Sequence, residues 1–246
     1  MSNLISLQRS VIPACDVSSL NKLREMVEAT CSLPGIGGYK VGLELIIPFG
    51  IRRVMAEMQM LWANSSLPVI YDHQKGGTDI PDLGPKFASA LAGAGVDAAI
   101  LFPFGGAATE RAWIQACQDV GLTVLVGAEM TQKEFFEEEG GFIAQSAPGK
   151  IFEIAASMGV TDFVVPGNKT HKVESYRKLL EASVGVNNLT LYAPGFVSQG
   201  GDITETGQVA GDNWHAIVGS AIYNKDGVDA MRATAIQLTE QLLAVT

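Results

Sequence analysis

Eight short runs of β-branched and other apolar residues alternate along this chain with longer stretches of helical period, and that alternation limits the fold more than any other feature. The runs cover residues 10–16, 38–43, 68–72, 98–103, 123–128, 162–166, 190–193 and 216–219. Each is mostly apolar, as strands are when both of their faces are covered. Helical period occupies 18–31, 51–63, 83–94, 108–120, 150–158, 172–182 and 226–243. A further stretch, 203–210, is the weakest because it is short and contains Gly207. Strands that alternate with helices build parallel sheets through βαβ crossovers. Eight such units in 246 residues predict an α/β fold, a single (β/α)8 TIM barrel in which residues 1–246 form one domain. No composition shift or Pro/Ser-rich linker divides the chain.

In a barrel of this kind the carboxyl ends of all strands open on one mouth, so residues far apart in sequence converge there. Asp16, Lys40, residues 72–79, Thr131, Asn168, Lys169, Gln199 and Ser220 all lie at or just after the end of an expected strand. The densest group is Tyr71-Asp72-His73-Gln74-Lys75-Gly76-Gly77-Thr78-Asp79-Ile80-Pro81. Two carboxylates bracket a lysine, which keeps the lysine cationic and the acids ionised unless burial desolvates them. Such a trio can hold a proton for delivery to a developing carbanion, orient a sugar, or bind Mg2+ through its carboxylates. The residues alone leave these readings open, beside that of an ordinary ion-pair loop. The second group is Pro194-Gly195-Phe196-Val197-Ser198-Gln199-Gly200-Gly201. Glycine lets backbone N–H groups approach an anion closely, and the loops after strands seven and eight are the usual phosphate position in a barrel.

Composition narrows the partners. With 47% hydrophobic and 17% charged residues the chain can bury a large core. A net charge of -9 argues against nucleic acid and against an anionic membrane surface, so an anionic substrate needs a local basic pocket. Cys15, Cys31 and Cys117 are odd in number and widely spaced, which fits reduced thiols in a cytoplasmic protein. No run approaches the roughly 18 apolar residues of a membrane span. His171 reads as a surface residue at a helix start and His215 as a strand-edge residue; neither has the spacing of a zinc pair, and no metal site is expected. The charge run 133–139 reads either as a solvated loop face or as an acidic lid over substrate.

From Pro13 to Tyr223 these motifs resemble the orotidine 5'-monophosphate decarboxylases. The resemblance implies a homodimeric (β/α)8 barrel that converts orotidylate to UMP in the last step of de novo pyrimidine synthesis, with no metal or organic cofactor. Asp16 in Ala-Cys-Asp-Val is similar to the strand-one aspartate that contacts the ribose, and Lys40 in Tyr-Lys-Val-Gly to the strand-two lysine of the charged network. Asp72, Lys75 and Asp79, followed by Ile80-Pro81, resemble the family's Asp-x-Lys-x-x-Asp-Ile-Pro motif, whose last aspartate enters the partner subunit's site. Thr131 in Glu-Met-Thr resembles the hydroxyl residue that reads the pyrimidine. Pro194, Gly195, Gln199, Gly200 and Gly201 resemble the phosphate-side loop. The implied chemistry is loss of CO2 from C6 beside Asp72, leaving a carbanion that Lys75 protonates.

The motif departs from the family in two places. One residue is added between Asp72 and Lys75 and another between Lys75 and Asp79, so a bulge near His73-Gln74 is needed to bring both side chains to one face, and Gly76-Gly77 can absorb the second insertion. Within the bulge His73 is a candidate site residue. Ser220 stands after Val218-Gly219 where the family usually has arginine, and Leu83 stands where a threonine is common. A hydroxyl gives phosphate one hydrogen bond and no charge, which makes Lys169 and Lys225 candidate cations. Two other readings remain: an Mg2+-dependent phosphosugar decarboxylase of the same suite, and a barrel that binds nucleotide or phosphate without catalysis.

Overall fold

The computed structural model describes residues 3–62, 67–73, 79–197 and 199–244. Eight parallel strands close into a barrel in sequence order: β1 (Arg9–Cys15), β2 (Tyr39–Val41), β3 (Val69–Asp72), β4 (Ala98–Leu101), β5 (Thr123–Gly127), β6 (Asp162–Val164), β7 (Thr190–Pro194) and β8 (Trp214–Val218). β1 pairs with β8 from Arg9↔Trp214 to Pro13↔Val218, which leaves no free edge. Around it lie α1 (Leu20–Thr30), α2 (Leu43–Phe49), α3 (Ile51–Leu61), α4 (Gly84–Ala92), α5 (Ala107–Asp119), α6 (Ala147–Ser157), α7 (Thr170–Val184), α8 (Ile203–Ala210), α9 (Ser220–Tyr223) and α10 (Gly227–Leu243). Among the described residues no helix is long and apolar enough to cross a membrane.

Alternate residues of each strand divide two cores. Val11, Cys15, Tyr39, Val41 and their counterparts pack outward against the helices, while Ile12, Ala14, Ile70, Ala98, Ile100, Leu125, Val164 and Ile217 fill the barrel. Gly127 faces inward, and a methyl group there would lie 2.2 Å from the Phe102 ring, so the missing side chain is what lets Phe102 sit inside. Burial raises the thiols of Cys15 and Cys117, the latter to about 12, which leaves both as uncharged packing groups.

The amino-end floor of the barrel is polar and internally satisfied. Ser10 Oγ meets His215 Nδ1 at 2.8 Å, the Tyr192 hydroxyl donates to Asp162 Oδ1 at 2.9 Å, and the Thr161 hydroxyl donates to Asp162 Oδ2 at 2.8 Å. Ile5 covers this layer from below. Burial lowers the His215 imidazole to about 3 and raises the Asp162 carboxyl. His215 is therefore an interior residue of a closed barrel and not a strand-edge one.

Three local features complete this frame. Ser19 caps α1 by accepting from the Lys22 N–H, which leaves Asp16 for the mouth. α2 was not anticipated, because its seven residues carry Pro48 and end at Gly50. The weakest expected helix does form as α8, with Asp202 accepting from the Glu205 N–H.

Candidate active site

The inward parity that fills the barrel also builds its mouth. Ile12 and Ala14 point inside, so Asp16, two residues on, does the same at the rim. Lys40 is level with Ala14 on β2, and Asp72 ends β3. Lys40 Nζ lies 3.0 and 3.1 Å from the two Asp16 oxygens and 3.1 Å from Asp72 Oδ2. Lys40 is 5% exposed and Asp72 3%. Burial on its own would lower the Lys40 ammonium, but the Asp72 and Asp16 carboxylates and their hydrogen bonds outweigh it and raise the group. The lysine is thus a fixed cation between two acids.

This triad forms one wall of a cavity of about 260 Å3 whose apolar base is Ile100, Phe102, Val164 and Ile217. The opposite wall is Pro194, Gly195, Phe196 and Gln199, with Gly219, Ser220 and Tyr223 beside them. The loop after β7 closes on itself: the Val197 N–H donates to Gly201 O at 3.1 Å and the Gly201 N–H to Gly195 O at 3.0 Å. Gly195 has φ +109°, which other residues rarely adopt, and a methyl group there would lie 3.1 Å from Thr131 Cγ2 and 3.2 Å from the Asn168 nitrogen, so any larger residue would be strained. Val197 has φ +62°, a strained conformation for a β-branched residue, held by that closed loop.

Residues 9–234 match the sequence model of the orotidine 5'-phosphate decarboxylase / HUMPS family. The chain belongs to this family. It is 30% identical to orotidine 5'-phosphate decarboxylase of Methanosarcina barkeri, an alignment covering 93% of this chain and 94% of that protein. It is 27% identical to the enzyme of the same name from Methanosarcina mazei, over 95% of each. Its fold matches a crystal structure of orotidine 5'-monophosphate decarboxylase from Methanocaldococcus jannaschii complexed with the inhibitor BMP, with a TM-score of 0.79 and 23% identity over 95% of this chain and 98% of that one.

The residues expected from the decarboxylase family fall into four groups. Asp16, Lys40, Asp72, Pro194, Gln199 and Ser220 all line the one cavity. Thr131, Gly200 and Gly201 lie outside its lining, although Thr131 touches the space above Gly195. Asp79 is exposed, accepts from the Ile80 N–H at 2.7 Å, and is also outside the lining. Lys75 and the expected bulge at Gln74 fall outside the described residues.

The two candidate cations are placed elsewhere. Lys169 is taken up by Glu129 at 2.9 Å, and Lys225 is exposed and absent from the lining. His73 Nδ1 hydrogen-bonds the Tyr71 hydroxyl. The Tyr71 group is raised to about 12 by burial and then by the Asp72 charge. The run 133–139 is not a fully solvated face either, because Phe135 and Phe136 within it are buried and Lys172 sits 5.0 Å over the Phe136 ring.

Sequence reasoning missed Phe102, Phe196 and Tyr223 on the cavity wall. Strand parity could have found Phe102, two residues beyond inward-facing Ile100. It also missed Glu129, a buried carboxylate whose partners among the described residues lie on α7 and its approach.

Proposed function

We infer that this chain decarboxylates orotidine 5'-phosphate to UMP in the cytoplasm, as a carbon–carbon lyase of pyrimidine biosynthesis. The bond between C6 and its carboxylate breaks, CO2 departs, and the electron pair stays on C6. The Lys75 ammonium then gives its proton to C6. Asp72 stands beside the departing carboxylate, Lys40 belongs to the same charged network, Asp16 contacts the ribose, and Thr131 reads the pyrimidine edge. Pro194, Gln199, Gly200, Gly201 and Ser220 receive the phosphate. With a serine hydroxyl in place of a guanidinium, that end relies on neutral donors, which weakens affinity and its dependence on salt.

The observation that carries this reading is the Asp16–Lys40–Asp72 triad, with Lys40 and Asp72 buried, lining one cavity together with the glycine-containing loop. A field fixed before substrate arrives can favour the change in charge distribution as CO2 leaves, without reorganisation during the reaction. The triad also weighs against the Mg2+-dependent alternative. Its two carboxylates already share a cation that the chain itself supplies.

The active unit is a homodimer in which Asp79 enters the partner subunit's cavity. Exposed Asp79, beside an Ile80 that is 57% exposed, supports this assignment. Purified protein given orotidine 5'-phosphate should form UMP at an unchanged rate in excess chelator. Loss of turnover with chelator would favour the metal-dependent reading, and UMP binding without turnover the non-catalytic one.

A further inference from the structure

Glu129, just beyond β5, lies outside the cavity, and its side chain is fully buried. Lys169 Nζ is 2.9 Å from one carboxylate oxygen. The Tyr176 hydroxyl donates to the other, and Lys172 Nζ stands 3.7 Å from it. Lys169 also donates to Met130 O at 3.1 Å, so a single ammonium clasps both ends of the Glu129-Met130 step. An unpaired carboxylate at this depth would be strongly unfavourable, and the partners drawn from α7 and the segment before it remove that cost.

What this cluster holds is the piece of chain between the two recognition loops. The Asn168 side-chain amide donates to Thr131 O at 3.1 Å, and the Gly167 N–H donates to Pro194 O at 2.8 Å. A methyl group on Gly201 would lie 3.1 Å from Asn168 Cα. Residues 167–169 are therefore wedged between segment 129–131 on one side and loop 194–201 on the other. Asn168 is weakly fixed by its own bonds, since its Oδ1 is buried with no partner among the described residues. On one side of it the Thr206 hydroxyl donates to Gly167 O at 2.9 Å, and on the other stands the charged anchor at Lys169.

We propose that Glu129 is a positioning residue that, through Lys169 and Asn168, sets the separation between Thr131 and the loop at Gly195. This rests on the assignment of Thr131 to the pyrimidine and of the loop to the phosphate. One anchor then serves both ends of the nucleotide, and releasing it loosens both at once. Misplacement of a substrate by about 1 Å is enough to slow a reaction about 100-fold.

The test compares Glu129→Gln, Lys169→Arg and the double variant Glu129→Gln/Lys169→Met, which removes both charges of the 2.9 Å pair together. For each, kcat, KM and the calorimetric affinity for UMP are measured, together with Tm. Glu129→Gln and the double variant should lose about 10- to 100-fold in kcat/KM and bind UMP more weakly, whereas Lys169→Arg retains both. The deciding step adds Thr131→Ala. Its effect on kcat/KM and on UMP affinity should largely vanish in the double-variant background, because residues that act as one unit are not additive. Full kcat/KM and UMP affinity in the double variant, or independent multiplication of the two effects, would overturn the proposal, as would a lowered Tm with unchanged kinetics and binding. If the unaltered protein binds UMP but does not turn over orotidine 5'-phosphate, the functional reading fails, and the UMP affinities still decide the role of Glu129.

Discussion

At the mouth of the barrel Asp72 is buried beside an ammonium; at the floor Asp162 is buried beside hydroxyls. Both carboxyls sit at strand positions that face the same interior, yet their surroundings ask opposite things of them. Lys40 is raised above its ordinary value although burial opposes it, so the mouth keeps its charges. At the floor no cation stands against the carboxyl among the described residues: burial raises Asp162 and Tyr192 and lowers His215, and the partners of Asp162 are hydroxyls. A buried ion pair kept at such expense in solvation is useful where charge moves during a reaction, and a layer satisfied by hydroxyls and an uncharged imidazole is sufficient where only packing and register are needed.

Paired substitutions give the largest test of that contrast. Asp72→Asn should lower kcat by about 100-fold or more, the scale set by removal of one preorganised electrostatic group. Asp162→Asn at the floor should leave kcat unchanged and shift stability by only about 1 kcal/mol, because the amide oxygen still accepts from Tyr192. Equal kinetic effects from the two would erase the distinction between the ends.

A smaller effect is expected in the pH dependence of stability. His215 is lowered to about 3 in the folded chain, against about 6.5 when unfolded. Between those values the unfolded chain binds a proton that the folded chain does not, so this contribution is present above about pH 6.5 and is lost as pH falls toward about 3. Going from about pH 7 to about pH 4, Tm should fall by about 5 °C more in the unaltered protein than in His215→Asn. Parallel Tm curves would mean that the floor does not hold His215 uncharged.

Much of the mouth was legible in the sequence because strand ends announce themselves. Asp16, Lys40 and Asp72 each terminate or interrupt an apolar run, and the barrel brings such positions together without any long-range knowledge. The floor was less legible: His215 looks like an edge residue until β1 and β8 are known to pair. Phe102 reaches the cavity only because Gly127 on the next strand lacks a side chain, a fact about contact across the barrel interior. Glu129 was missed because its partners Lys169 and Tyr176 come 40 and 47 residues later, beyond any local pattern. α2 escaped because Pro48 and Gly50 read as a loop.

The most direct measurement of the central claim follows the loss of orotidine 5'-phosphate absorbance with the unaltered protein and with Lys75→Ala side by side. The expected result is UMP formation by the first and loss of turnover in the second, with both folded. Equal turnover by the two, or no turnover by a folded, substrate-saturated unaltered protein, would contradict it.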